Sequence, residues 1–128
     1  MKKILAILSL FCITLFSCNK QDDIAKFDFR VNEVKDFELD TYKEVVPIDV
    51  ESLSGVAERV TLSISGLPSG LFSAEIENPT GTPDFSTFIT FSSIGPGNPA
   101  ITDYPIKITA TSTSGLTKTY DMVVKYQY

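Results

Sequence analysis

The chain has 128 residues, 43% of them hydrophobic, and 16 acidic against 11 basic side chains give a formal net charge of −5. This length suits one domain with its own core, and the acidic balance excludes the basic footprint that nucleic-acid binding demands. Histidine and tryptophan are absent, which excludes Ser-His-Asp and Cys-His catalysis and any zinc site that needs an imidazole.

The first element is Met1-Lys2-Lys3 followed by an apolar run from Ile4 to Phe16, then Ser17 and Cys18. The run is too short for a transmembrane helix, which needs ~20 residues, and it fits the ~7–15 residue core of a signal peptide. Leu15-Phe16-Ser17-Cys18 resembles the lipobox of a bacterial lipoprotein. The resemblance implies that residues 1–17 are cleaved and that Cys18 receives several acyl chains. Each buried methylene contributes ~0.8 kcal/mol, and stable attachment takes more than one chain. Asn19-Lys20-Gln21-Asp22-Asp23 is similar to the short acidic export tag of Bacteroidetes-type surface lipoproteins. It implies display on the outer face of the outer membrane, with periplasmic-facing attachment as the alternative. Residues 18–26 then form a lipidated polar tether, and residues 27–128 form the domain.

Cleavage removes two lysines and no acid, which takes the net charge from −5 to about −7. Cys12 leaves with the signal segment and Cys18 carries lipid. The domain therefore holds no thiol for a disulfide or a zinc site, although the compartment would permit a disulfide.

From Phe27 onward apolar and polar residues alternate, the period of a half-buried strand. The inward sets are Phe27/Phe29/Val31, Phe37/Leu39, Val46/Ile48/Val50, Val60/Leu62/Ile64, Phe72/Ala74/Ile76, Tyr104/Ile106/Ile108/Ala110 and Tyr120/Met122/Val124/Tyr126. In Phe85–Phe91 either Phe85, Ile89 and Phe91 or Phe88 faces inward, and the larger set is favoured, with Phe88 outward. Turn residues separate these runs at Ser54-Gly55, 66–70, 78–83, 95–99 and Ser114-Gly115. Pro47 and Pro105 lack an amide donor and belong at an edge, a bulge or a strand start. The pattern predicts an all-β fold, an immunoglobulin-like antiparallel β-sandwich of about seven strands.

Two segments sharpen this prediction. Val60-Thr61-Leu62-Ser63-Ile64-Ser65 running into Gly66-Leu67-Pro68-Ser69-Gly70 resembles bacterial extracellular immunoglobulin-like and fibronectin-III-like modules. Tyr104 to Ala110, with the hairpin and last strand in Ser112–Lys125, resembles their penultimate and final strands. Asp103 departs from the glycine usual before that tyrosine. Tyr104 is a candidate for a tyrosine-corner hydrogen bond, with plain core packing as the alternative. Such sandwiches host many roles, so the resemblance specifies fold and leaves function open.

Candidate chemistry is sparse. Glu75 and Glu77 share a strand face, as do Asp36, Glu38 and Asp40, and neither set spans a cleft as paired catalytic carboxylates must. No catalytic residue, cofactor or resident metal is assigned. For calcium, which takes oxygen ligands, Asp36/Glu38/Asp40 and Glu75/Glu77/Asp84 offer carboxylates without any recognised loop spacing. The candidate ligand-binding aromatics are Tyr42, Phe88, Tyr126 and Tyr128, since tyrosine presents a flat apolar face and a polar tip. Loop residues Asn78, Asn98 and Asp103 offer polar contacts or simply form turns. The expected role is a non-catalytic interaction module held to the membrane by Cys18, either a subunit of a surface complex or an adhesin-like binder, with another envelope protein or an extracellular glycan as its partner. The alternative is a small carbohydrate-binding accessory that engages an extracellular glycan.

Overall fold

A computed structural model describes residues 24–95 and 101–127. Cys18 and its signal segment, Asn98 and Tyr128 lie outside the described residues. Among the described residues nine strands follow in order: β1 Asp28–Asn32, β2 Phe37–Leu39, β3 Lys43–Ser54, β4 Val60–Ser65, β5 Phe72–Ile76, β6 Thr80–Gly81, β7 Phe85–Ser93, β8 Thr102–Ser112 and β9 Thr117–Tyr126. Among the described residues no helix is long and apolar enough to cross a membrane.

The strands form two sheets, one ordered β1-β3-β7-β5 and the other β2-β9-β8-β4-β6. Setting aside the short edge strands β2 and β6, the other seven follow the ABED and GFC orders of an immunoglobulin-type sandwich. Two features depart from the expected architecture. The segment 78–83, expected as a turn, contains β6, which pairs with Val60 and Thr61 of β4. The sandwich is also not wholly antiparallel, because β2 runs parallel to β9. The chain leaves β1 and crosses to the other sheet without reversing, so it meets β9 running the same way. Asp36 Oδ1 accepts the Val123 N–H at 2.8 Å and the Leu39 carbonyl accepts the Gln127 N–H at 3.2 Å, which fixes β2 at that edge.

The inward sets meet between the sheets. Phe29, Leu39, Ile48, Ile89, Phe91, Ile108, Met122, Val124 and Tyr126 have no exposed surface. Phe72 lies among aromatic rings, 5.6 Å from Tyr126, 5.8 Å from Tyr104 and 6.4 Å from Phe91 between centroids. Tyr104 takes part as a packed ring, in an edge-on contact with Tyr126 as well. The buried hydroxyls of Thr87, Ser93, Ser112 and Tyr126 each have partners, as burial requires. Thr87 Oγ1 accepts the Asn78 N–H, Ser93 Oγ bonds the Tyr126 hydroxyl at 2.7 Å, and Ser112 Oγ accepts the Leu116 N–H.

Pro47 and Pro105 lie in strands flanked on both sides, yet each sits at a local edge. β1 reaches only as far as Asp49 of β3, and β4 reaches only as far as Lys107 of β8. Each proline therefore has a registered partner on one side alone, Phe88 for Pro47 and Val123 for Pro105, and the sheet tolerates its missing N–H.

Sheet edges expose unpaired backbone groups, and β1 is closed by side chains from the opposite sheet. The Tyr120 hydroxyl accepts the Val31 N–H at 3.0 Å, and Lys118 Nζ donates to the Phe29 carbonyl. Lys118 also pairs with Asp28 at 2.5 Å and stands 5.3 Å over the Phe29 ring. A single lysine thus contributes an ion pair, a hydrogen bond and a cation–π contact at one seam.

Candidate functional site

The inward register of β3, β7 and β5 dictates what faces outward, because a one-residue slip would turn the core residues into solvent. Ile48 and Val50, Thr87, Ile89 and Phe91, and Phe72 are buried. Val45 and Pro47, Phe88 and Thr90, and Glu75 therefore project from the other side. Pro47 lies opposite Phe88, and Thr90 is flanked by Val45 on one side and Glu75 on the other. The Glu77 N–H donates to the Phe88 carbonyl at 3.0 Å, which carries the pairing one residue past β5.

Val45, Phe88, Thr90, Glu75 and Glu77 line an open depression of about 420 Å³ on this face. Val45 is 48% exposed and Phe88 45%. A valine and a phenylalanine set diagonally across β3 and β7 on the solvent face of the sheet, bounded by two carboxylates on one flank, form an apolar contact surface with an acidic border. Paired carboxylates on one exposed strand provide no enclosed space in which to exclude water from a reacting group.

A second depression of about 510 Å³ beside it is lined by Asn32, Asp49, Glu51, Asp84 and Ser86, among others. Its carboxylates are engaged. Ser86 Oγ donates to Asp49 at 2.5 Å, and the Ser52 N–H donates to Asp84 at 2.7 Å. Glu51 accepts from Arg30 Nε at 2.7 Å and from Asn32 Nδ2 at 3.0 Å. These bonds stitch β1, β3 and β7 together. Among the described residues no three or more His, Cys, Asp or Glu side chains gather where they could hold a metal ion. Of the carboxylates considered for calcium, Asp36 caps the Val123 amide, Asp84 holds the Ser52 amide, and Glu75 and Glu77 border the first depression.

The four candidate aromatics separate. Phe88 stands at the centre of the apolar face. Tyr42 is 65% exposed and lies at the end of the same sheet, where its carbonyl accepts the Ser93 N–H. It is five residues from Pro47, the partner of Phe88, or ~17 Å along the strand. Tyr126 is excluded as a ligand contact: its side chain is buried and its hydroxyl is bonded to Ser93. It belongs to the inward set of β9, and its polar tip found a partner inside the core rather than at the surface. Tyr128 lies outside the described residues. Asn78 supports the turn before β7 through its backbone, and Asp103 sits within β8 opposite Lys125.

Sequence reasoning missed Val45 and the grouping of Phe88 with Glu75 and Glu77. The signal for Val45 was present: it is an apolar residue on the outward parity of a strand whose inward set is Val46, Ile48 and Val50. The placement of β5 beside β7 carries no such local signal.

Among the described residues three carboxylates are held below their ordinary pKa range. Lys118 does this for Asp28, with help from the Phe29 N–H. Arg30 and then Asn32 do it for Glu51, and Ser114 does it for Glu58. A carboxylate depressed in the folded state adds stability above its unfolded pKa and loses it as pH falls through the folded one. The melting temperature is thus expected to hold from neutral pH down to about pH 4.5 and to fall below it. Glu51→Gln is expected to reduce that acid-side fall in thermal melts taken across the range. An equal fall in both proteins would place the acid sensitivity elsewhere.

No family model matches the chain, and no curated protein matches it. Among solved structures, a Bacteroides ovatus GH5 xyloglucanase in complex with a XXXG heptasaccharide is similar at 9% identity and a TM-score of 0.45. The match covers 79% of this chain and 19% of that one. A likeness at this level bears on neither the site nor the activity of this chain.

Proposed function

We propose that this chain is a lipid-anchored envelope lipoprotein with a non-catalytic role, and that it binds a second envelope protein through the face built by Val45 and Phe88. The observation that carries the reading is that apolar pair, exposed on a rigid sheet and bordered by Glu75 and Glu77. Exposed apolar surface rimmed by polar groups is a feature of protein, membrane and ligand contacts. Hot spots favour a buried aromatic anchor with desolvated neighbours. The partner that complements this face offers an apolar side chain flanked by lysine or arginine, since the domain is acidic and so is the border. The address rests on Cys18 and its lipobox, and outer-membrane surface display rests on the acidic segment behind it.

A glycan partner asks for rings gathered on one surface. The placement of Tyr42, Phe88 and Tyr126 gives that reading less support than the apolar pair gives to a protein partner.

A photoreactive phenylalanine analogue placed at position 88 of the full chain, irradiated in intact cells, tests the proposal. The expected result is one protein adduct of defined mass. Its yield falls when Glu75→Lys and Glu77→Lys reverse the border, and no adduct forms when the analogue replaces Ser63 on the other sheet. The same adducts from positions 63 and 88, or none from 88, would overturn the reading.

A further inference from the structure

The exposed aliphatic residues outside the Val45–Phe88 face divide between the two ends of the sandwich. Ile94 and Ile101 lie near Tyr42 at the end where β3 begins and β7 finishes. Ile24, Leu53 and Val56 lie at the opposite end, 81%, 47% and 78% exposed. This second group is held together. Ser54 Oγ donates to the Lys26 carbonyl at 2.8 Å, and the 25–27 backbone lies directly against Gly55. Leu53 is the extra residue of a β-bulge, since Asp28 pairs with Ser54 while the next residue, Phe29, pairs with Ser52. Bulges re-aim side chains out of the regular pleat, and here the side chain released is a leucine.

We infer that this end is a membrane-contacting surface, which rests on the lipid surface that holds Cys18 and sets the sandwich upright on it. The inference depends on the lipid-anchor reading above, and chain length supplies the rest of the argument. Ile24 is six residues from Cys18, so at ~3.3–3.6 Å per residue the end cannot stand more than ~22 Å from the point of attachment. Three solvent-exposed aliphatic side chains are thereby confined next to a bilayer. Burying them in the headgroup boundary relieves that exposure without the entropic cost of finding the surface from solution. The local charges agree. Asp28 is paired with Lys118, and Glu58 accepts the Ser114 N–H. Lys26 and Arg59 are exposed cations at this end and offset the anions Glu58 and Asp84, so no net negative charge opposes an anionic lipid surface. With this end down, the Val45–Phe88 face stands roughly perpendicular to the membrane and stays open.

The experiment uses the full lipidated chain in vesicles of phosphatidylethanolamine and phosphatidylglycerol. Val56→Cys and, separately, Ile94→Cys each introduce the one thiol of the mature domain, which carries an environment-sensitive fluorophore. Nitroxide-labelled lipid is expected to quench the label at 56 several-fold more than the label at 94. Ile24→Ser combined with Leu53→Ser is expected to abolish that difference while the protein stays with the vesicles and keeps its melting temperature. Equal quenching at 56 and 94, with the protein fully membrane-bound, would overturn the contact surface and leave the anchor standing. Recovery of the wild-type chain in the soluble fraction would overturn both.

Discussion

Phe72→Ala is expected to lower the unfolding free energy by about 3–5 kcal/mol, the usual cost of emptying a buried aromatic site. Phe72 is 2% exposed and packs against Phe91, Tyr104 and Tyr126, so its ring joins β5 of one sheet to β8 and β9 of the other. Aromatic contacts add ~0.5–1.5 kcal/mol per pair beyond the area they bury. A small domain has only ~5–15 kcal/mol in total, so this one truncation removes a large share. Urea unfolding followed by circular dichroism reads the loss as a lower midpoint at unchanged slope. Phe88→Ala supplies the contrast. The residue type is the same and the side chain is 45% exposed, so a change below about 1 kcal/mol is expected. Equal losses at the two positions would mean that the register of the sheets is wrong.

Gly55→Val is expected to release the first residues of the domain. Gly55 has φ +73°, where a side chain costs ~1–2 kcal/mol. A Cβ there would also meet the Phe27 nitrogen at 2.5 Å and the Ala25 oxygen at 2.6 Å, both backbone atoms that cannot rotate away. The segment 25–27 must therefore lift off, with loss of the Ser54–Lys26 hydrogen bond. The expected readout is faster tryptic cleavage after Lys26 together with a stability loss above about 2 kcal/mol. Gly70→Val isolates the backbone cost, because Gly70 has φ +78° and open space around it. If both variants lose the same stability and neither gains cleavage at Lys26, the close approach at Gly55 does not matter.

The strands were legible because their alternation is local. The set Phe85, Ile89 and Phe91 settles which way Phe88 points, and the structure places Phe88 outward as that reading requires. Pro47 and Pro105 announced a missing donor, and both sit where a neighbouring strand has ended. What stayed hidden depends on residues far apart in the chain. Nothing near Phe37 says that it will run parallel to Val124. Nothing near Thr80 says that a two-residue strand will form inside a turn segment. The bulge at Leu53 arises from the pairing of β1 with β3 and has no local signature. Half of the candidate face was legible for the same reason: parity exposes Phe88 and Val45, but only the placement of β5 beside β7 brings Glu75 and Glu77 to them.

The closure of β1 by Lys118 and Tyr120 sets an order of events for the chain as it is made. The Val31–Tyr120 bond joins residues 89 apart in sequence, and β2 pairs with β9 across a similar interval. The first strands to emerge from synthesis are therefore completed by the last. Until β9 arrives, β1 has an open edge and β2 has no sheet to join. Contacts this distant in sequence make folding slow, because the loop must close before the contact forms. Folding of this domain thus waits for its last strand, and a chain truncated before Thr117 would lose β9 and, with it, the latch on its beginning.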